Sequence, residues 1–235
     1  MKLKNLIPLS FLLFFTSCQA QEKKETKEQN KTQTEKSEPM KQPFDLLNLT
    51  FNEDILTILT SAGLQLKDNE ETDALTLIGY KKFESTSPKL LTFNGKDLSG
   101  TNKKEKNNII LYYAEEGNLE YAKENSLGMY QVNLFTDDEI KSLKNELNIK
   151  FGKPKFNHNH LGNVADVRNG ELIQTDIKFT EDINIWENNN IIYYSFYQTT
   201  EDAERFNLFV FLKKNRQFVG FISALGYQNI SEALK

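Results

Sequence analysis

The chain contains only two histidines, His158 and His160, which stand two positions apart in the stretch FNHNHLGN. On an extended segment, two imidazoles at this spacing point the same way and can share a metal ion. Asp166 or Asp176 would then be a third ligand, and the chemistry would be that of a metal-dependent hydrolase. A polar loop rich in asparagine also collects solvated histidines. We interpret the stretch as a polar loop and keep the metal site at His158 and His160 as the alternative.

Three consecutive carboxylates, Asp137, Asp138 and Glu139, form a second group that could do chemistry. Neighbouring carboxylates can divide the roles of general acid and general base when their surroundings push their pKa values apart. Acidic side chains in the first turn of a helix also meet the positive end of its dipole. Because an apolar repeat at helical spacing follows, we interpret the group as a helix start, and no catalytic residue is assigned.

Aromatic residues are concentrated in the stretch INIWENNNIIYYSFY. On an exposed sheet face, Trp186, Tyr193 and Tyr197 could stack on sugar rings or receive a peptide. Alternation along a strand sends Tyr193 and Tyr197 to one face and Tyr194 and Phe196 to the other. We expect one of these two sets to lie in the core, and Trp186, Tyr193 and Tyr197 are the candidate ligand-binding residues.

Composition and motifs exclude several classes of function. The net charge is −4 at pH 7, and loss of Lys2 and Lys4 with a signal peptide would make the mature chain more acidic, which argues against a nucleic-acid partner. No GxSxG elbow, phosphate loop, GxGxxG or HExxH motif occurs. We therefore expect no cofactor, and the sequence favours a protein that is not an enzyme.

The only cysteine, Cys18, closes a segment with the order of a signal peptide. Lys2 and Lys4 come first, and an apolar stretch covers residues 6–15. A stretch of ~10 apolar residues is about half of the ~20 that cross a bilayer as a helix, so it fits a signal peptide better than an anchor.

The residues Phe15, Thr16, Ser17 and Cys18 resemble the lipobox of bacterial lipoproteins. This resemblance implies a signal peptide over residues 1–17, cleavage by signal peptidase II before Cys18, and fatty acyl chains such as palmitate on that cysteine. It also implies attachment to a membrane of the cell envelope, for which we expect the outer membrane, on its periplasmic or its surface side. The alternative is cleavage after Ala20, which would release a soluble protein.

The stretch from Gln19 to Lys41 has scarcely an apolar side chain. Such a stretch cannot bury enough surface to offset the entropy of ordering it, so residues 18–43 should form a disordered, charged tether. A single domain should then occupy residues 44–235.

Capping residues and apolar spacing predict two main helices in this domain. The first should begin with an N-cap at Asn52 and end at Gly63. The second should begin with a capping box at Thr136 and end at Gly152.

Short apolar runs between turn residues predict strands at ALTLIGYKKF, NIILYYAEEGN, GMYQVNLF, ELIQTDIKF, INIW, IIYYSFYQ, FNLFVFL and QFVGFI. Short connections at residues 187–190 and 213–216 predict antiparallel neighbours. The order of helix then strands occurs twice, so halves 44–135 and 136–235 could form a pseudo-repeat. The predicted fold class is α+β, a largely antiparallel sheet with the two main helices packed on one side.

The sequence thus predicts a lipid-anchored bacterial envelope protein whose domain is a non-enzymatic binding or assembly module. Its partner would be an unidentified envelope protein, a glycan or another ligand, and its lipid would bind the membrane. One alternative is a metal-dependent hydrolase that uses His158 and His160. Another is an immunity-like inhibitor whose acidic surface neutralises a basic toxin.

Overall fold

The computed structural model describes residues 43–70, 77–115, 122–168 and 170–235. Cys18, the predicted signal peptide and the predicted tether up to residue 42 lie outside these described residues. The first residues of the predicted strand ALTLIGYKKF and the last three of the predicted strand NIILYYAEEGN also lie outside them. No helix in the described part of the chain is both long enough and apolar enough to cross a bilayer.

Within the described residues, three α-helices and nine β-strands follow one another. In chain order they are α1 (Ile55–Ser61), β1 (Tyr80–Ser85), β2 (Thr92–Phe93), β3 (Lys96–Asp97), β4 (Asn108–Ala114), β5 (Leu127–Leu134), α2 (Asp137–Phe151), β6 (Phe156–Arg168), β7 (Glu171–Asn188), β8 (Ile191–Thr200), β9 (Glu204–Leu212) and α3 (Gln217–Ala224). Short 3₁₀ turns occur at Leu46–Asn48, Leu66–Asp68 and Ile230–Leu234.

Seven of the strands form one sheet in the order β1-β4-β5-β9-β8-β7-β6, and every neighbouring pair is antiparallel. β2 and β3 form a separate hairpin. In each half of the chain a helix precedes a set of antiparallel strands, and the last strands of the two sets, β5 and β9, pair with each other. The predicted α+β class with a largely antiparallel sheet is confirmed.

Both faces of this sheet are buried. On one side of the sheet, Phe206, Leu208 and Val210 of β9 pack in a core with the apolar residues of α1 and α2. We call this side the first face and its core the first-face core. On the other side, which we call the second face, Phe209 and Phe211 pack in a separate core with the apolar residues of α3. A strand that is covered on both sides is apolar at successive positions, which explains the run FNLFVFL. The two main helices thus lie on one side, and α3 covers the other.

Helix α1 begins after Asp54, and the predicted N-cap at Asn52 is wrong. The carboxylate of Asp54 accepts a hydrogen bond from the amide of Leu56 at 2.7 Å. Glu53 closes a tight turn just before the helix, because its carboxylate accepts from the amide of Asn52 at 3.1 Å. The helix gives way to Gly63, as predicted, where φ is +68°.

Helix α2 occupies the predicted residues, from the N-cap Thr136 to Gly152, where φ is +69°. The predicted capping box does not form, because Thr136 Oγ1 accepts a hydrogen bond from Asn107 Nδ2 at 2.6 Å. Asn107 is buried and also bonds the carbonyl of Leu98 and the amide of Phe135. A contact from a distant part of the chain therefore fixes the start of this helix.

The segment QFVGFI, predicted as a strand, is the beginning of helix α3. Its buried residues Phe218 and Ile222 are four positions apart, and six apolar residues are too few for periodicity to separate a helix from a strand. The turn at residues 213–216 therefore joins a strand to a helix. The turn at Asn189 and Asn190 does join antiparallel strands, and both residues have the positive φ of a type I′ turn.

The predicted loop FNHNHLGN is strand β6, and ELIQTDIKF and INIW are parts of the single strand β7. β8 extends along β7 only as far as Thr200, opposite Phe179. Beyond that point β6 and β7 form a two-stranded ribbon. Because β6 lies at the edge of the sheet and faces water, its polar sequence gave no strand pattern.

Candidate functional site

His158 and His160 are exposed on the edge strand β6. The ring of His160 lies 5.7 Å from that of Phe179, centroid to centroid. Asp166 lies farther along β6, and Asp176 lies on β7. Among the residues that the structure describes, no group of three or more His, Cys, Asp or Glu side chains could hold a metal ion. The two histidines therefore have no third ligand in this part of the chain.

The acidic group 137–139 lies in the first turn of α2. The Asp137 carboxylate pairs with Lys141 at 3.1 Å. Its hydrogen bond with Glu204 raises the pKa of Glu204 and, together with Lys141, lowers the pKa of Asp137. Tyr197 donates to Glu204 at 3.0 Å, and burial, with this bond, raises the pKa of Tyr197 to about 12. A tyrosine with this pKa keeps its proton at neutral pH and can therefore donate to Glu204. Tyr197 lies on β8, Glu204 on β9 and Asp137 on α2, so these contacts join the three elements.

The three candidate aromatic residues lie in or beside the first-face core. Trp186 is 4% exposed and Tyr193 is 2% exposed. The Trp186 indole donates to the carbonyl of Gly152 at 3.0 Å. Tyr197 is half-buried, with the ammonium of Lys144 4.2 Å from its ring centroid. Trp186 and Tyr193 thus pack the interior and form no exposed stacking surface.

A cleft of about 870 Å³ lies where the start of β1, the start of β5 and the turn between β9 and α3 meet. We call it the cationic cleft. It is lined by Phe51, Asn52, Ile78, Tyr80, Ala122, Lys123, Ser126, Leu127, Gly128, Leu212, Lys214, Asn215, Arg216 and Gln217. None of these residues is acidic.

The floor of the cationic cleft depends on Gly128. A Cβ atom at this position would lie 2.3 Å from a ring carbon of Tyr80 and 2.9 Å from one of Phe218. Only a glycine therefore lets the Tyr80 ring lie against β5. The hydroxyl of Tyr80 accepts a hydrogen bond from Gln217 Nε2 at 3.3 Å, and burial raises the pKa of Tyr80. The phenol is a neutral, apolar wall of the cleft at physiological pH.

Phe51 forms another part of the floor and has an unusual backbone. Its φ is +65°, a region that bulky residues rarely adopt and that costs about 1–3 kcal/mol. The ring is buried and stacks on Tyr130, with 6.0 Å between centroids and 8° between ring planes. This packing holds the strained conformation and fixes the backbone beside the cleft.

Among the described residues, three cations line the rim of the cationic cleft, Lys123, Lys214 and Arg216, and all three are exposed. Their side chains form no ion pair or hydrogen bond with any residue that the structure describes. A neighbouring hollow of about 550 Å³ shares Lys214 and Arg216 and adds Lys213, whose ammonium pairs with Glu187 at 2.9 Å. Cationic side chains of the turn at residues 213–216 thus line two adjoining hollows.

Helix α3 adds positive potential at the same place. Arg216 is its N-cap, makes no side-chain capping bond, and no acidic residue follows in the first turn. The N-terminal end of a helix carries a partial positive charge from its free amides. The potential of Lys214 and Arg216 therefore adds to that of the helix end.

No family model, curated protein or solved structure matches this chain. The chemistry of the cationic cleft therefore follows from its own residues.

The sequence contains only a weak signal for this cleft. The tetrapeptide KKNR at residues 213–216 stands between two apolar runs, and the sequence pattern predicts a hairpin turn there. Lys123 lies in a different part of the chain, and the pairing of β5 with β9 brings the two regions together. No local spacing could indicate that these cations share a hollow.

Proposed function

We propose that this protein is a bacterial envelope lipoprotein whose α+β domain is a non-enzymatic ligand-binding module, with the cationic cleft as its binding site. The observation that supports this proposal is the cleft, a hollow of about 870 Å³ with an apolar floor and a cationic rim. Ligand sites typically measure about 300–1,000 Å³ and combine apolar walls with a few charged or polar groups.

The lining residues favour binding over catalysis. None of the described residues that line the cleft is a histidine, aspartate, glutamate or cysteine. Ser126 lines the cleft, but a serine hydroxyl is a weak nucleophile unless a neighbouring base such as histidine or a carboxylate activates it. The cations and apolar walls that are present can hold and orient a ligand.

The location of the protein is a second part of the proposal and depends on the lipobox resemblance at residues 15–18. Two or three acyl chains on Cys18 would anchor the protein stably, whereas one chain would hold it marginally. A flexible tether of ~23 residues spans about 25–30 Å, which would keep the domain clear of the lipid headgroups. Anchoring would raise the concentration of the cleft near envelope ligands.

The cleft can be tested by filling it. Asn52 is exposed at its rim, and its side chain makes one long bond with the described residues, 3.4 Å to Thr50 Oγ1, so Asn52→Trp should block the cleft with little effect on stability. Native mass spectrometry of protein isolated from envelopes should show a bound small molecule in the wild type and in the control Asn159→Trp, which lies on β6. The Asn52→Trp variant should lack it. A wild-type protein that carries no ligand and gains no thermal stability from an envelope extract would contradict the proposed function.

The anchor can be tested separately. Cys18→Ala should move the protein from the membrane fraction to the soluble fraction. Retention in the membrane pellet, or a wild-type mature protein that begins at Gln21 without acyl chains, would refute the lipid attachment.

A further inference from the structure

The cations of the cationic cleft are notable for lining one hollow whose described lining contains no carboxylate. Six lysines form ion pairs with carboxylates at 2.6–3.1 Å, namely Lys81, Lys141, Lys144, Lys155, Lys213 and Lys235. Other exposed lysines that form no such pair among the described residues, such as Lys67, Lys96 and Lys150, line none of the cleft. Lys123, Lys214 and Arg216 have no such partner among the described residues, although they converge on one hollow. Like charges that share a concave surface repel one another, and this costs free energy unless an anion is present.

The walls beneath these cations are apolar. Phe51, Tyr80 and Leu127 form the buried floor, and Leu212 and the exposed Ile78 extend it. A free inorganic anion would contact the rim and leave the exposed Ile78 and the half-buried Leu212 in water. A neutral apolar molecule would cover the walls and leave the cations without a partner. A ligand that satisfies both parts must have an anionic head and an apolar body.

We infer that the ligand of the cationic cleft is a small organic anion, with a phosphate or carboxylate head on an apolar body. This inference rests on the proposed function, because it names the ligand class of the same site. Lys123, Lys214 and Arg216 hold the head, and the floor around Tyr80 and Leu127 covers the body. Arg216 can bind two oxygens of the head at once because its guanidinium is a planar fork of donors.

The test uses the mature chain, residues 18–235, made without its lipid, and isothermal titration calorimetry. The probes are octyl phosphate with its neutral match 1-octanol, 1-naphthyl phosphate with its match 1-naphthol, and inorganic phosphate alone. At least one organic phosphate should bind about tenfold or more tightly than its neutral match and than inorganic phosphate, the range expected of a charge-assisted hydrogen bond. Tighter binding of the octyl compound indicates a lipid-derived ligand, and tighter binding of the naphthyl compound indicates a soluble aromatic acid.

Variants that remove one positive charge from the rim test where the anionic head of the ligand binds. Lys214→Gln and Arg216→Gln should each weaken organic phosphate binding about tenfold, whereas the control Lys150→Gln, on an exposed part of α2, should leave it unchanged. Raising the salt from about 0.01 M to about 0.5 M should also weaken binding to the wild type.

Three results would overturn the inference in distinguishable ways. If the neutral and anionic probes bind equally, the ligand class is wrong while the binding function stands. If Lys150→Gln weakens binding as much as Arg216→Gln does, the effect is general charge and not this cleft. If no probe binds to a protein that circular dichroism shows to be folded, the ligand class fails. A wild type that also lacks any ligand in envelope isolates then ends the proposed function as well.

Discussion

Helices α2 and α3 cover opposite faces of the sheet, and their N-terminal ends have opposite charge. The start of α2 carries acidic residues at 137–139, which compensate the positive end of the helix dipole. The start of α3 carries Lys214 and Arg216 and no acidic residue in its first turn. The acidic residues at the start of α2 stabilise that helix without any ligand. The cations at the start of α3 destabilise that helix start unless an anion binds there.

The difference extends to the surroundings of the two helix starts. Asn107 bonds Thr136 at the start of α2, and Lys141 pairs with Asp137, so both groups have partners within the domain. The start of α3 opens onto the cationic cleft, where the rim cations have no partner among the described residues. One helix end thus serves stability, and the other leaves its charge available for binding.

The largest effect should come from removing the core anchor of each helix. Phe218 in α3 is fully buried, with its ring 4.9 Å from that of Tyr80, and Phe218→Ala should lower the free energy of unfolding by about 3–5 kcal/mol. It should also weaken ligand binding, because the floor under Tyr80 loosens. Leu143→Ala in α2 should cost about 2–5 kcal/mol and leave binding unchanged. Urea denaturation and calorimetry measure both. Equal losses of binding would show that binding follows overall stability and not the cleft floor beside α3.

Reversing the charge at each helix start should give opposite results. Arg216→Glu places an acid at the start of α3, so the free energy of unfolding should rise by about 0.3–1 kcal/mol while binding of an organic phosphate is lost. Asp137→Lys should destabilise the domain and leave binding intact, since it removes the pair with Lys141 and adds a cation to the α2 start. Thermal denaturation and titration calorimetry give the two readouts. A destabilised Arg216→Glu variant would contradict the contrast between the helix ends.

The smallest effect concerns Glu187 beside the neighbouring hollow. Its bonds with Lys155 at 2.6 Å and Lys213 at 2.9 Å lower the pKa of Glu187 below 4.5. A lowered folded-state pKa means that this contribution to stability is present above the ordinary value and is lost as the pH falls through the folded value. Glu187→Gln should therefore cost less than about 1 kcal/mol at neutral pH, and the difference from wild type should vanish on acidification below 4.5.

The same variant sharpens the contrast between the helix ends. Without Glu187, Lys213 adds its charge to the turn at residues 213–216, so organic phosphate binding should become tighter. Glu232→Gln, which removes only the exposed pair with Lys235, is the matched control and should change neither binding nor the pH profile of stability between neutral and acid. Urea denaturation across a pH series measures the stability difference. A difference that persists at acid pH would contradict the lowered pKa of Glu187.

The sequence by itself determined those helices and strands whose capping residues and apolar pattern lie within one short segment. Helix α2 could be predicted because its N-cap Thr136, its apolar repeat and Gly152 lie within one window and agree with one another. The antiparallel strands β4, β5 and β8 could be predicted from apolar runs between turns. The α+β class followed because helices and strands of this kind can bury their apolar sides only by packing on one another.

Tertiary structure decided what depends on distant residues. Asn107, not the capping box, fixes the start of α2, and pairing with β7 makes a strand of the polar stretch around His158. The cationic cleft arises because β5 pairs with β9, which brings the regions of Lys123 and Arg216 to one end of the sheet. Periodicity and capping are properties of neighbours along the chain, whereas a binding site is a property of neighbours in space.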